Sequence, residues 1–240
     1  MGIPRLRVLN LRVVSGMLPD IQQLAELYSR QVGTNVKPPK SVVIVGVGGI
    51  GSWVAILLAM AGTGMIHLVD FDRVEIHNLN RIPLTLGSVG RYKVHEVAKL
   101  IQSIRPNAYV QTYTSRFENV VQLLSNQYID WVIECTDNVK TQRIVRRVCR
   151  KYFWRLVEVH YDYDTQARDW LVSITMFCDP TKIPEDFWCE DSGDTGYRVV
   201  QSYVVPPVIL ASIVTHALCT NMCISIDSTH LTKLIEKISK

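Results

Sequence analysis

The sequence predicts an α/β fold, a doubly wound sheet whose N-terminal half is parallel and which is continued by an antiparallel part. Three observations carry that expectation. Strand-like apolar runs alternate with helix-like stretches between residues 41 and 152, a rhythm that needs parallel strands joined by crossover helices. A glycine-rich turn stands between the first apolar run and the first helix. Further on, WRLVEVHYDYD and DWLVSITMF follow each other with no helix between them, which calls for antiparallel pairing.

Taken in order, the chain begins with a segment of weak pattern, residues 1–35, read as an N-terminal arm. Within it Asp20 is placed to cap a short helix over IQQLAELYSR, with Ile21, Leu24, Ala25 and Tyr28 along one side. Lys37-Pro38-Pro39-Lys40 is a stiff linker. Val42, Val43, Ile44 and Val45 then make a buried strand ending at Gly46. Gly46, Gly48 and Gly51 satisfy Gly-x-Gly-x-x-Gly, Gly49 lies among them, and the apolar run WVAILLAMA opens a helix after Ser52. Strand, turn and helix in that order give the motif its meaning: glycines allow the sharp turn, and backbone N–H groups at the helix start face a phosphate. The fold is therefore Rossmann-like and holds a nucleotide site.

Gly62 and Gly64 end the first helix, and MIHLVDFD forms a second strand closing at Asp70. An acidic residue about 20 positions beyond the glycines, at a strand end, is placed to accept a hydrogen bond from a ribose hydroxyl. Val94, Val97, Ala98, Ile101 and Ile104 give a helix that Pro106 stops. AYVQTYT is a third strand, residues 117–126 a helix, and IDWVIECT a fourth buried strand. Asp137 and Asn138 supply cap chemistry for a basic helix over 139–152, whose cations read as a solvated face. A polar loop covers residues 178–196, an apolar helix follows from residue 207 to about 223, and THLTKLIEKISK makes an amphipathic tail. Three units result: the arm, a domain over 36–226 divided at 152/153 into nucleotide-binding and substrate halves, and a tail over 227–240. His67, in a strand, and His216, in an apolar helix, read as core residues.

Composition bounds the class. With 240 residues, 48% hydrophobic and 20% charged, the chain has ample material for a core and the balance of an ordinary globular protein. No apolar run is long enough to span a bilayer, so no membrane partner is expected. MGIPRLRVLNLRVV scatters its arginines and lacks the pattern of a leader. Six cysteines without regular spacing suggest free thiols in a reducing cytoplasm. A net charge of +4 does not by itself call for nucleic acid.

The glycine turn and Asp70 do not separate a dinucleotide from ATP. Neighbouring cations do, because a triphosphate of about four charges needs Lys or Arg and a metal beyond backbone N–H groups. Asn78, Asn80, Arg81 and Lys93 all follow the Asp70 strand within one loop and helix. Asp137 ends another strand, where a carboxylate can hold Mg²⁺.

Gly46-x-Gly48-Gly49-x-Gly51-Ser52, Asp70-Phe71-Asp72-x-Val74, Asn78-Leu79-Asn80-Arg81, Gly90-x-x-Lys93 and Cys135-Thr136-Asp137-Asn138 together resemble the ThiF/MoeB/HesA superfamily of ubiquitin-activating-enzyme-like adenylyltransferases. Leu27-Tyr28-Ser29-Arg30-Gln31 resembles its N-terminal arginine motif. The resemblance covers about residues 27–150. It implies an enzyme that uses ATP and Mg²⁺ to activate the C-terminal carboxylate of a small ubiquitin-like or sulfur-carrier protein as an acyl-adenylate. Asp70 would hold the ribose, Asn78, Arg81 and Lys93 the phosphates, and Asp137 Mg²⁺, with Asp72 and Asn80 also among the cofactor-binding residues. Arg30 would reach the triphosphate of the other subunit in a homodimer. Cys189 stands where thioester-forming relatives carry a nucleophile, and reads equally as an incidental loop cysteine among Glu190, Asp191 and Asp194, which raise a thiol pKa.

Departures narrow the reading. Ile82 and Gln142 stand where the family carries Gln and Arg. VEVHYDYDTQARDW is bulky and acidic where relatives have small residues around the incoming tail, which argues against a diglycine substrate. No Cys-x-x-Cys pair is present, so zinc is not expected, and Cys178, Cys189, Cys219 and Cys223 read as structural thiols. Other readings are a tRNA threonylcarbamoyladenosine dehydratase-like activation, which the basic helix favours, a non-catalytic partner subunit, and a NAD-dependent oxidoreductase.

Overall fold

Residues 21–184 and 202–238 are described in a computed structural model of the chain. A short helix α1 (Ile21–Leu27) leads to β1 (Ser41–Val45), all five residues of which are buried, as a central parallel strand requires. Helix α2 (Gly49–Ala61) starts directly on the glycine turn and returns the chain to β2 (Met65–Val69). Then come α3 (Lys93–Ile104), β3 (Tyr109–Tyr113), the single turn α4 (Val121–Leu124) and β4 (Trp131–Glu134). Helix α5 (Val139–Tyr152), the long hairpin β5 (Arg155–Asp164) and β6 (Asp169–Phe177), α6 (Val205–Thr220), β7 (Ser225–His230) and α7 (Leu231–Ile238) complete the order.

Among the described residues seven strands join one sheet, ordered β3-β2-β1-β4-β5-β6-β7. The first five pair in parallel, and β5–β6 and β6–β7 are antiparallel, as the rhythm of the sequence requires. The chain moves outward from β1 through β2 to β3, then crosses back to lay β4 on the other side of β1. That reversal opens a crevice at the carboxyl ends of β1 and β4, where ligands of open α/β sheets bind.

Side chains alternate across the sheet. Val42 and Ile44 pack with α2, α3 and α6 on one face, and Val43 and Val45 with Val145 and Cys149 of α5 on the other. Helix α6 is apolar nearly all round because Leu210, Ala211, Val214, Ala217 and Leu218 lie in the same core as α2.

Several expectations need correction. The helix expected over 117–126 is a 3₁₀ turn (Phe117–Asn119) followed only by α4. SIDSTH, which alternates too weakly to read as a strand, is β7, held to β6 by ladder bonds at the sheet edge, so residue 226 falls inside a strand. His67 does lie in the core as expected, fully buried beside Tyr113, with ring nitrogen and hydroxyl 3.3 Å apart, and burial lowers its pKa to about 4. His216 is exposed, because α6 packs with its other side. Cys178 and Cys223 form a disulfide between the end of β6 and the start of β7, contrary to the expectation of free thiols. Spacing did not reveal it because 45 residues separate partners that only the sheet brings together.

Candidate functional site

The glycine turn is shaped by two close approaches. Gly46 sits at φ +87°, a left-handed backbone that favours glycine, and a methyl there would press on Thr136 Cγ2 and the Cys135 carbonyl at 2.9 and 3.0 Å. Gly51 lies so close to the Gly46 carbonyl that no side chain fits. The turn is therefore wedged against the end of β4, and α2 begins there with its first N–H groups directed at the crevice. Nothing stands within 4 Å of the side-chain position of Gly48.

Asp70 follows β2 and is tied to this turn. Its Oδ2 accepts the Val47 N–H at 2.7 Å and its Oδ1 the Asp72 N–H at 2.7 Å, leaving each oxygen a second acceptor position. Burial pushes its carboxyl upward, and the charge of Lys93 pulls it back. Asp72 in turn pairs with Lys93, Nζ to Oδ2 at 2.8 Å. Lys93 is not a solvated helix residue; it is 9% exposed, and its backbone N–H also donates to the Asp72 carbonyl at 3.0 Å.

Arg81 crosses the glycine turn from the loop after β2. A methyl at Gly49 would stand 3.4 Å from Arg81 Cδ. Its guanidinium donates to the His77 carbonyl at 2.8 Å and to Asn80 Oδ1 at 3.0 Å, and Trp53 Nε1 of α2 holds the Arg81 carbonyl at 2.9 Å. Asn80 Nδ2 donates to the Ser202 carbonyl at 2.7 Å. Asn78 is buried and works as a cap, its Oδ1 accepting the Glu75 N–H at 3.0 Å. Asp137 is exposed, next to Thr136 in the turn that enters α5. The cap itself is Asn138, whose Oδ1 accepts the Thr141 N–H at 2.9 Å.

The structure thus sets Gly46, Gly48, Gly49, Gly51, Asp70, Asp72, Asn80, Arg81 and Lys93 on or beside the glycine turn, while Asn78 meets it only through the Arg81 backbone and Asp137 lies one residue beyond Thr136. Arg30 lies elsewhere. Tyr28, two residues before it, packs on Gly62 and under the Arg105 guanidinium, at the far end of α2. Thirteen helical residues at 1.5 Å each separate that end from the glycine turn by about 20 Å. Cys189 lies outside the described residues.

Beneath Thr136 sits a cluster that the sequence reading missed. Glu134 and Glu158 are register neighbours on β4 and β5, 0% and 3% exposed. Arg146 of α5 forks onto Glu158 at 2.5 and 2.6 Å, so this cation belongs to the interior rather than to a solvated face. Glu134 Oε1 accepts the Thr136 N–H at 2.7 Å and the Thr136 hydroxyl, while its Oε2 lies 3.4 Å from His160 Nε2. Burial raises the Glu134 carboxyl to about 8 and lowers His160. A glutamate inside each of two apolar strand runs, WVIE and RLVE, was the available signal.

Fold and crevice together define a nucleotide-binding α/β domain with an antiparallel extension. The ThiF family matches residues 34–168, and the chain belongs to that family. Among curated proteins it is 33% identical over 124 residues to the ubiquitin-like modifier-activating enzyme 5 of Drosophila grimshawi, covering 47% of this chain and 31% of that enzyme. The enzyme of the same description from Culex quinquefasciatus is also 33% identical over the same shares. The chain therefore spans about a third of the length of the curated relatives it matches. Of solved structures, PaaA superposes with a TM-score of 0.66 at 22% identity, over 87% of this chain and 68% of that one. E. coli MccB solved with ATP gives 0.63 at 19% identity, over 80% and 62%. At these identities the two structures share the fold. Among the described residues no group of three or more His, Cys, Asp or Glu is arranged to hold a metal ion, and no helix is long and apolar enough to cross a membrane.

Proposed function

We propose that this chain is an ATP-dependent adenylyltransferase that activates the C-terminal carboxylate of a small ubiquitin-like or sulfur-carrier protein. In the reaction a carboxylate oxygen bonds to the α-phosphorus of ATP, the bond to the bridging β-oxygen breaks, and pyrophosphate leaves. A carboxylate nucleophile needs no general base, so the protein's task is to position the reactants and neutralise charge. The observation that supports this most directly is the close approach of the Arg81 side chain to Gly49, at the turn where α2 opens, its guanidinium held by the His77 carbonyl and Asn80 Oδ1.

Asp70 would take the ribose, and Arg81 and Lys93 the phosphates. Asn78 and Asn80, engaged as cap and strut, would act by holding the Arg81 loop. The exposed carboxylate of Asp137, one residue beyond the Thr136 that lines Gly46, has the hard oxygen chemistry that suits Mg²⁺. When bound, that ion would offset triphosphate charge. Arg30 would serve the site of a second copy in a homodimer, and Cys189 would receive the acyl group where a thioester follows.

The test is exchange of labelled pyrophosphate into ATP, dependent on a carrier with a free C-terminus. Exchange that persists undiminished in Arg81→Ala would overturn the site. Exchange that is absent with the free carrier while ATP still binds would overturn the reaction.

A further inference from the structure

The hairpin β5–β6 brings one residue into the crevice that no motif predicted. Tyr161 Oη would stand 3.2 Å from a methyl at Gly49, a position that Pro207 Cβ of α6 also approaches at 3.4 Å. It shares a hydrogen bond of 2.6 Å with Ser202 Oγ. Two hydroxyls joined by one hydrogen bond keep one further proton to donate, so the pair presents a donor beside the glycine turn and Arg81. Ser202 is itself fixed there, since its carbonyl accepts from Asn80. From Tyr161 an aromatic wall runs outward: Trp170 at 5.9 Å between ring centroids, then Tyr163 at 5.0 Å and Tyr203 at 5.2 Å from Trp170. All four rings keep part of their surface in solvent.

Resting on the adenylation reading, we propose that Tyr161 and Ser202 position the acceptor carboxylate for its attack, with the aromatic wall beside the peptide tail that carries it. Two features argue for that role. The hydroxyl pair is a neutral donor, suited to a carboxylate that must remain nucleophilic. Tyr and Trp offer rigid amphipathic contact to an extended peptide at low entropic cost.

The probes are 5′-sulfamoyladenosine, which mimics the nucleotide half, and its conjugate with a short peptide through the peptide's C-terminal acyl carbon. Binding is measured by calorimetry on wild type, Tyr161→Phe and Ser202→Ala, with ATP alone as the reference. In wild type the peptide conjugate should improve affinity over sulfamoyladenosine by about tenfold or more, the worth of one hydrogen bond to a charged group. Both variants should lose most of that gain while binding ATP as wild type does. No ATP binding by wild type would overturn the adenylation reading itself. ATP binding with an acyl gain untouched in both variants would overturn the Tyr161–Ser202 assignment alone. Displacement of the peptide conjugate by bulk tRNA at moderate salt would overturn a peptide tail as the occupant.

Discussion

Replacing Glu134 by Gln should make this protein more stable, and increasingly so as the pH rises. Burial lifts the folded-state pKa of Glu134 from 4.5 to about 8. Between those values the native state holds a proton that the unfolded chain releases, so stability falls with rising pH and levels off above about 8. At about 1.4 kcal/mol per pH unit, the whole interval costs about 5 kcal/mol, of which about 3 has been lost by pH 7. Gln keeps the shape and the carbonyl that accepts the Thr136 N–H, but has nothing to ionise. His67 and His160, both lowered, act in the opposite sense: their contribution is present above the unfolded value of 6.5 and is lost as pH falls toward their folded values. The wild-type curve alone therefore mixes signs, and the difference between the two proteins is the quantity to measure. Urea unfolding followed by tryptophan fluorescence, from pH 5 to 8, should show near equality at pH 5 and a gap that widens steadily. A gap constant across that range would refute the claim that Glu134 is protonated in the fold.

Arg146→Ala should cost about 3–5 kcal/mol, because it leaves Glu158 buried and unpaired; unfolding of the variant at pH 7 measures it. Asp137→Ala should abolish pyrophosphate exchange with no change in melting temperature, since its side chain is exposed and the helix cap is Asn138. Gly46→Ala should weaken ATP binding at least tenfold or so and lower stability by about 1–3 kcal/mol, from a strained φ and the clash with Thr136. Reduction of Cys178–Cys223 should lower stability by up to about 4 kcal/mol for a loop of 45 residues, readable as a shift in urea midpoint on adding dithiothreitol.

Much of this architecture was legible because parallel strands are buried on both faces and print unbroken apolar runs such as VVIV and WVIE. The glycine spacing was legible for a similar reason: close approaches at Gly46 and Gly51 exclude every side chain, so sequence and geometry are locked together. β7 was not legible, because an edge strand with one partner need not alternate strongly, and SIDSTH does not. Nor was the fate of individual polar groups. Whether Arg146 faces water or Glu158, and whether Lys93 is solvated or closed on Asp72, depends on which strand lies opposite, and the strand order is set by packing. Tyr161 belongs to the same class, since only antiparallel pairing with β6 carries a long β5 past the glycine turn.

The charge around the crevice bears on what else the reaction requires. Asp70, Asp72 and Asp137 contribute three carboxylates against the two cations Arg81 and Lys93, and Lys93 is already closed on Asp72. The crevice of one chain is thus not cationic before any phosphate enters it. A triphosphate adds about four negative charges, and α2 offers only about half a charge at its N-terminus. Screening by water does not meet that deficit in a partly closed site, so further positive charge must come from outside the chain's own crevice. A divalent ion at Asp137 is one source. Arg30 of a second copy would be the other: in its own chain it is exposed, and Tyr28 holds its segment about 20 Å from the glycine turn. If both are needed, mixing Arg81→Ala with Arg30→Ala protein should restore part of the exchange that each lacks alone. Half of the dimers in an equal mixture then join the two variants, and each of these would carry one crevice with an intact Arg81 and an Arg30 supplied across the interface. Failure of such mixtures to recover activity, with dimers present, would mean that charge balance is achieved within a single chain.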